Sequence, residues 1–408
     1  MSRVGALAPL RERNFAWYFA SRFVNVAGSM MANIALTFAV LDIGGSATAI
    51  GQVLAAHTIP MIGLLLFGGV VADRLPRHVV LRVSNLASAA TQGVIAALVI
   101  SGQAELWMIV CLSVVHGTVS GIGFPAMAGM LPSLVPRAQL QQANALISLT
   151  RSGLTVLGPT MGALLVVTLG SGWALAIDAA TWLLAALFLL PIRIASREPS
   201  GAEPSMIAEL REGWAFFWST TWLWVVVVGF GVMNAIHTGA WFTLGPAVAD
   251  ETIGRQAWGY VLSAEAVGLV VTTLVMLRVP LRRPLLSGMI GMFGLVPPIL
   301  LLGLDPRLGL LVVAAFIGGV GVEVFSLGWS LAMQENIDDR MLSRAYSYDA
   351  LGSFVAMPVG QLAYGPLGDA IGYRELFLGS GAVYAVVVAL VLCSRSVRRL
   401  PRRIDAPG

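Results

Sequence analysis

Long apolar runs make up most of this chain and limit the folds that it can adopt. Runs of roughly twenty residues with few charges recur from end to end, separated by short polar segments. A run of this length crosses the hydrocarbon core of a bilayer as a helix, which satisfies its backbone hydrogen bonds internally. The twelve predicted spans are 15–41, 47–71, 83–101, 106–130, 143–169, 173–191, 222–248, 257–277, 285–304, 308–332, 345–367 and 376–394.

The predicted spans fall into two sets of six. A single long polar stretch follows the sixth span, and Pro199 and Pro204 in it are typical of a linker. A weak internal repeat has an offset of 202 residues, which places Gly158 over Gly360. The fold class predicted is an all-α membrane protein of two pseudo-symmetric six-helix bundles. The expected division is an N-terminal bundle at 1–191, a cytoplasmic linker at 192–221, a C-terminal bundle at 222–394 and a basic tail at 395–408.

The distribution of arginine predicts the orientation in the membrane. The chain has 25 cationic residues, all arginine, and with both termini inside, twenty lie in inside segments and three in outside loops. Loops rich in Arg face the cytoplasm. We therefore expect a multi-pass protein of the cell (inner or plasma) membrane with both termini cytoplasmic.

Composition and the lack of catalytic motifs exclude several classes of protein. With 57% hydrophobic and 11% charged residues, the chain does not resemble a soluble domain. The arginines are spread between spans and do not form a patch for nucleic acid, so none is expected as a partner. The sequence has no P-loop, zinc-ligand spacing or nucleophile motif. We expect no enzyme, cofactor or metal, and a monomer whose partners are a small-molecule substrate, protons and the lipid bilayer.

A charged loop between the second and third spans contains Gly69, Asp73, Arg74 and Arg77. These residues resemble the Gly-x-x-x-Asp-Arg-x-Gly-Arg signature of the major facilitator superfamily, although Pro76 stands where that family usually has Gly. The resemblance implies that the loop is a gate that rearranges as the transporter changes conformation. An ordinary cytoplasmic loop is the alternative reading of the same residues.

Two further patterns resemble branches of this family. Gly158-Pro159-x-x-Gly162 in the fifth span is similar to the core of its antiporter signature, which implies a conformational role for Gly158 and Pro159. Stretches at 44–51, 124–126, 131–136, 143–146 and 177–179 resemble the macrolide-efflux and enterobactin-exporter branch of drug–proton antiporters. This resemblance extends over nearly the whole chain, and it implies export without naming the cargo.

Polar residues inside spans are the candidates for substrate and proton binding, because each is costly in a bilayer unless it has a function or a partner. The resemblance implies that spans 1, 4, 7 and 10 line a central cavity. The cavity candidates are Arg22, Asn25, Asn33, His116, Asn234, His237 and Glu323. The proton-coupling candidates are Glu323 first, with Asp349 and Glu265 as secondary choices. Glu323 could instead be a permanently paired buried acid, and Asp178 is interpreted as structural.

The function predicted is secondary active transport by alternating access, with proton-coupled efflux of a small amphipathic drug, siderophore or natural product. A facilitator or importer of a small metabolite, which needs no titrating acid, is the alternative within transport. A membrane enzyme or receptor is the alternative of another class. Whether the cargo accumulates against its gradient would distinguish these functions.

Overall fold

A computed structural model gives the fold of residues 7–192 and 214–400, apart from 75, 129, 137–138, 277–280 and 338. In these residues the chain forms long helices joined by short connections, without any strand. It separates into two compact units, Met1–Ser200 and Gly201–Gly408. The division lies in the predicted linker, most of which falls outside the described residues, as does the end of the basic tail.

The first unit contains six long helices, preceded by a short 3₁₀ turn at Ala8–Arg11. Their bounds are α1 Arg13–Asp42, α2 Ala47–Arg74, α3 Arg77–Ile100, α4 Leu106–Ala128, α5 Leu140–Leu169 and α6 Ser171–Phe188. Within the unit, α1 packs against α5 and α6, α2 packs against α4, and α3 packs against α4 and α6.

The second unit contains the next six long helical segments. Their bounds are α7 Thr221–Glu251, α8 Arg255–Met276, α9 Pro284–Leu304, α10 Leu308–Asn336, α11 Asp339–Ile371 and α12 Tyr373–Cys393. Two of them change helix type along their length, with a π-helical turn at Thr238–Leu244 in α7 and a 3₁₀ turn at Met292–Leu295 in α9. Here α7 packs against α11 and α12, and α8 packs against α10.

Eleven of these helices are long and apolar enough to cross a membrane, judged over the described residues. The remaining one, α11, has 33 residues and includes the predicted span 345–367, but it is more polar than the others. The prediction of an all-α membrane fold is confirmed, and the count of twelve membrane spans stays a prediction at α11. Exposed apolar side chains such as Leu149, Val359 and Leu390 suit contact with lipid.

Equivalent glycines join equivalent helices in the two units. Gly170, with φ of 92°, separates α5 from α6, and Gly372, with φ of 90°, separates α11 from α12. This backbone conformation favours glycine, and the two positions are 202 residues apart, the offset of the sequence repeat. Both units therefore make the same sharp turn at the same point of a six-helix order.

The repeat extends to the packing of the fifth helix of each unit on its first. A Cβ at Gly162 of α5 would lie 2.8 Å from the carbonyl oxygen of Met31 in α1, and one at Gly158 would overlap Met30. In the second unit, a Cβ at Gly360 of α11 would lie 2.7 Å from Thr238 Oγ1 in α7. Glycine allows these backbones to approach closely, as is common in membrane helices.

Substituting Gly158 should therefore destabilise the first unit. The Cβ of Gly158→Ala overlaps the Met30 side chain, and overpacking of this kind costs about 1–3 kcal/mol. The matched control is Gly153→Ala in the same helix, where no described residue lies within 4 Å of the added Cβ. Thermal unfolding of the purified protein should show a lower midpoint for Gly158→Ala only. An equal decrease in both variants would contradict the close packing of α1 on α5.

Candidate functional site

A carboxylate in the second unit is held by two side chains of the neighbouring helix. Glu265 lies on α8, and its Oε2 accepts a hydrogen bond of 2.8 Å from Trp241 Nε1 of α7. His237 Nε2, also on α7, lies 3.7 Å from Glu265 Oε1, which is within ion-pair distance if the imidazole is protonated. The side chains of His237 and Glu265 are only 17% and 13% exposed. We call these three residues the Glu265 cluster.

The Glu265 cluster lies where α7 changes its winding. Thr238–Leu244 forms a π-helical turn that includes Trp241, and Thr243 Oγ1 donates a hydrogen bond of 3.1 Å to Thr238 O within it. Such turns are rare in α-helices and are frequent at functional sites. His237 and Trp241 are four residues apart on α7, so their side chains lie on the same face of the helix, toward Glu265 of α8. Sequence reasoning gave no signal for this turn.

Aromatic side chains enclose the cluster. The ring of Trp258 lies 4.9 Å from that of Trp241, and the His237 ring stacks on Trp241 at 6.4 Å between centroids. Three buried hydroxyl side chains lie in the same unit, with Tyr364 and Ser380 hydrogen-bonded to each other at 2.8 Å and Tyr384 fully buried. Among the described residues, His237 Nε2 and the Tyr384 hydroxyl have no hydrogen-bond partner. The site thus contains two titratable side chains, Glu265 and His237, within 3.7 Å of each other.

The other two predicted acids have different surroundings. Glu323 on α10 accepts a hydrogen bond of 2.7 Å from the exposed Thr273 hydroxyl of α8, and its own side chain is partly accessible. Asp349 on α11 accepts one of 3.0 Å from Trp329 Nε1 of α10. Trp329 is itself buried and lies against Phe325. Glu323 is therefore the most open of the three acids, and Glu265 is the one facing a titratable side chain.

The first unit has a polar cluster of its own. His116 Nδ1 on α4 lies 3.1 Å from the Thr91 hydroxyl, and its ring lies 5.3 Å from that of His57 on α2 and 5.6 Å from that of Trp182. The sequence analysis selected His116 but missed His57, whose position in a span was the available signal. Two histidines this close can compete for one proton.

Asp178 of α6 lies almost completely buried near this cluster. Its Oδ2 accepts a hydrogen bond of 3.0 Å from Gln92 Nε2 of α3, while Oδ1 has no partner among the described residues. The interpretation of Asp178 as structural fits this link between α3 and α6. No group of three His, Cys, Asp or Glu side chains suited to a metal occurs in the described residues.

The remaining candidates for a cavity are spread over α1 and α7. Arg22 Nη1 donates a hydrogen bond of 3.1 Å to Asn25 Oδ1, and Asn25 is 6% exposed. Asn33 is exposed, and its carbonyl accepts a hydrogen bond from Thr37. Asn234 Nδ2 donates to Ser353 O of α11 at 2.9 Å, so this side chain joins two helices.

The candidate gating residues are described only in part. The backbones of Gly69, Asp73 and Arg74 lie in the last turns of α2, and their side chains fall outside the described residues. Arg77 begins α3 and is partly buried. Pro159 lies inside α5, next to the contact of Gly158 with α1.

The Gln92 amide is expected to stabilise the first unit through Asp178. In Gln92→Leu, a 1% exposed carboxyl loses its partner on α3, and an unsatisfied buried group costs about 1–3 kcal/mol. Thermal unfolding of this variant should occur at a lower temperature than in the wild type. Gln52→Leu is the matched control, because Gln52 is exposed on α2. Equal stability of both variants would show that Asp178 does not depend on Gln92.

Several proteins named as exporters are similar to this chain in sequence. It is 26% identical to the multidrug efflux pump Tap of Mycolicibacterium fortuitum, over 86% of this chain and 88% of Tap. It is 23% identical to macrolide efflux protein A of Streptococcus pyogenes, over 95% and 97% of the two chains. It is 25% identical to the enterobactin exporter EntS of Escherichia coli, over 97% and 95%. The branch that the sequence resembles is thereby confirmed.

Solved transporters share the fold at low sequence identity. The nucleoside transporter NupG superimposes with a TM-score of 0.73 at 13% identity, over 93% of this chain and 98% of that one. A bacterial homologue of the lysosomal transporter Spinster gives 0.73 at 12% identity, over 98% and 99%. The family profile of the Major Facilitator Superfamily matches residues 18–348. The chain belongs to the Major Facilitator Superfamily, and it is a multi-pass membrane transporter of small molecules and not an enzyme.

Proposed function

We propose that this transporter exports a small amphipathic compound in exchange for protons, by alternating access. The observation that carries the proposal is the contact of Glu265 with Trp241 and His237 at the π-helical turn of α7. Support for the direction comes from the relatives, three of which are named as exporters of drugs, macrolides or enterobactin. A drug, siderophore or natural product is accordingly the cargo class.

Glu265 is the preferred proton carrier because it is enclosed and still has a titratable neighbour. A carboxylate withdrawn from water is costly unless it is protonated or paired. At 3.7 Å from Oε1, His237 can form an ion pair with Glu265 after a small movement, whereas the hydroxyl of Thr273 can only donate a neutral hydrogen bond to Glu323. A proton can thus pass from Glu265 to His237 within the site while the pair keeps the same net charge.

The π-helical turn offers a way to link this proton to a change in conformation. Trp241 donates to Glu265 from within the turn, so the strength of that hydrogen bond depends on whether the carboxyl is charged. A change there acts on α7 at the residues that pack against α11, because Thr238 and Asn234 both contact that helix. Entry of one proton across 100 mV supplies about 2.3 kcal/mol.

The proton-coupling role of Glu265 can be tested by making the same Glu→Gln change at two different positions. In everted membrane vesicles, Glu265→Gln should abolish proton-driven accumulation of a macrolide or a siderophore, since the amide cannot carry a proton. The matched control is Glu323→Gln, also on a membrane helix of the second unit, which should retain most of the accumulation. Dissipation of the pH gradient on addition of the substrate gives a second readout.

The opposite ranking would move the proton site to Glu323, and undiminished accumulation by both variants would overturn both acids as the proton carrier. In a facilitator the substrate equilibrates across the membrane, so no gradient of substrate would form even in the wild type. Absence of any transport of the tested compounds by the wild type would overturn export of this cargo class.

The proposed topology places both termini in the cytoplasm, with the two bundles at 1–191 and 222–394 and the linker between them. It rests on the concentration of arginine in alternate loops. Green fluorescent protein fused after Gly408 should fluoresce in cells, and alkaline phosphatase fused at the same point should be inactive. The reverse result would overturn the orientation. We also propose that the transporter is a monomer. A separate proposal is that Asp73 and the residues around it form a gate.

A further inference from the structure

Two arginines from different helices of the first unit line one cleft. The cleft lies between α1 and α5, and apolar side chains form the rest of its wall apart from the Thr150 hydroxyl group. Besides Thr150, the cleft is lined by Phe19, Arg22, Phe23 and Val26 of α1 and by Ile147 and Arg151 of α5. The combination of aromatic surface with two guanidinium groups suits a ligand that is apolar at one end and charged at the other.

The spacing of these residues follows from helix geometry. On α1, Phe19, Arg22 and Phe23 are three and four residues apart, so they lie on one face, and Thr150 and Arg151 stand in the same relation to Ile147 on α5. Arg22 is nine residues from the start of α1 and Arg151 eleven from the start of α5. At 1.5 Å per residue these positions are about 13 Å and about 16 Å along the helix axes from the first residues, and both lie within segments apolar enough to span a membrane.

Both cations lack a countercharge in the part of the chain that the structure describes. Arg22 donates to the neutral oxygen Oδ1 of Asn25 at 3.1 Å, and neither arginine forms an ion pair with a described carboxylate. An arginine at membrane depth is costly, and a second one on the same cleft adds repulsion. An anion between them would remove both penalties, since guanidinium groups bind carboxylate, phosphate and similar groups through paired hydrogen bonds.

We propose that Arg22 and Arg151 bind the acidic group of an amphipathic anion, whose apolar part lies against Phe19 and Phe23. Its identification as cargo rests on the proposed export function, while the site itself does not. The anion has two sources, a transported solute or the headgroup of an acidic phospholipid. In either case Asn25 acts as a positioning residue, because its oxygen holds the Arg22 guanidinium.

A pair of ligands of equal shape tests the charge requirement. The purified protein in phosphatidylcholine nanodiscs is titrated with 2-naphthoate and with its uncharged amide, 2-naphthamide, against empty nanodiscs. The wild type should bind the carboxylate about tenfold more tightly, as expected for a charge-assisted pair. Arg22→Gln and Arg151→Gln should each remove most of that preference and leave binding of the amide unchanged. Arg22→Lys should retain part of it.

Controls separate this site from general loss of structure and from the export function. Arg307→Gln changes a 72% exposed arginine outside the cleft and should behave as wild type. Equal binding of both ligands by the wild type, or an unchanged preference in both glutamine variants, would overturn the proposal. Nanodiscs that contain phosphatidylglycerol distinguish the two sources. If this lipid weakens the binding of 2-naphthoate, the site binds a lipid headgroup. If 2-naphthoate binds equally well in its presence, the site binds a solute. The assay needs no proton gradient, so failure of export in vesicles leaves it intact.

Discussion

A polar side chain inside a bilayer finds its hydrogen-bond partners within the protein, and this requirement determines which helices of each unit are tied together. In the first unit Asp178 joins α6 to α3 through Gln92, and in the second Glu265 joins α8 to α7 through Trp241. Both links cross between helices at positions where glycine also permits close approach, such as Gly319 against the backbone of Glu265. Both acids therefore lie in well-packed surroundings within their units.

The extent of the helices was largely predictable, because a membrane span needs a long apolar run and nothing else competes with that signal. Predicted spans 285–304 and 257–277 correspond to Pro284–Leu304 and Arg255–Met276. The helices extend past the apolar runs where polar residues continue them, as at Asn336 of α10 and Arg74 of α2. The length of an apolar run is set by the thickness of the bilayer, whereas the residue at which a helix ends depends on local hydrogen bonds in the loops.

The contacts of the candidate site were much less predictable. Glu323 and Glu265 are both acids within apolar runs, and Glu323 ranked first only because the family resemblance implies that span 10 lines the cavity. The difference arises from partners distant in sequence, with His237 and Trp241 brought to Glu265 by the packing of α7 on α8. In the same way, His57 and His116 meet only because α2 packs on α4. Neither pairing leaves a periodic signal in the sequence.

Proton release on substrate binding tests the central claim most directly, because it needs neither a membrane potential nor a defined direction. The purified transporter is mixed in weak buffer with a macrolide or siderophore that it binds, and the pH change is compared between wild type and Glu265→Gln. The account predicts release of protons by the wild type and none by the variant at equal occupancy. Binding by the wild type without release, or undiminished release by Glu265→Gln, would contradict it.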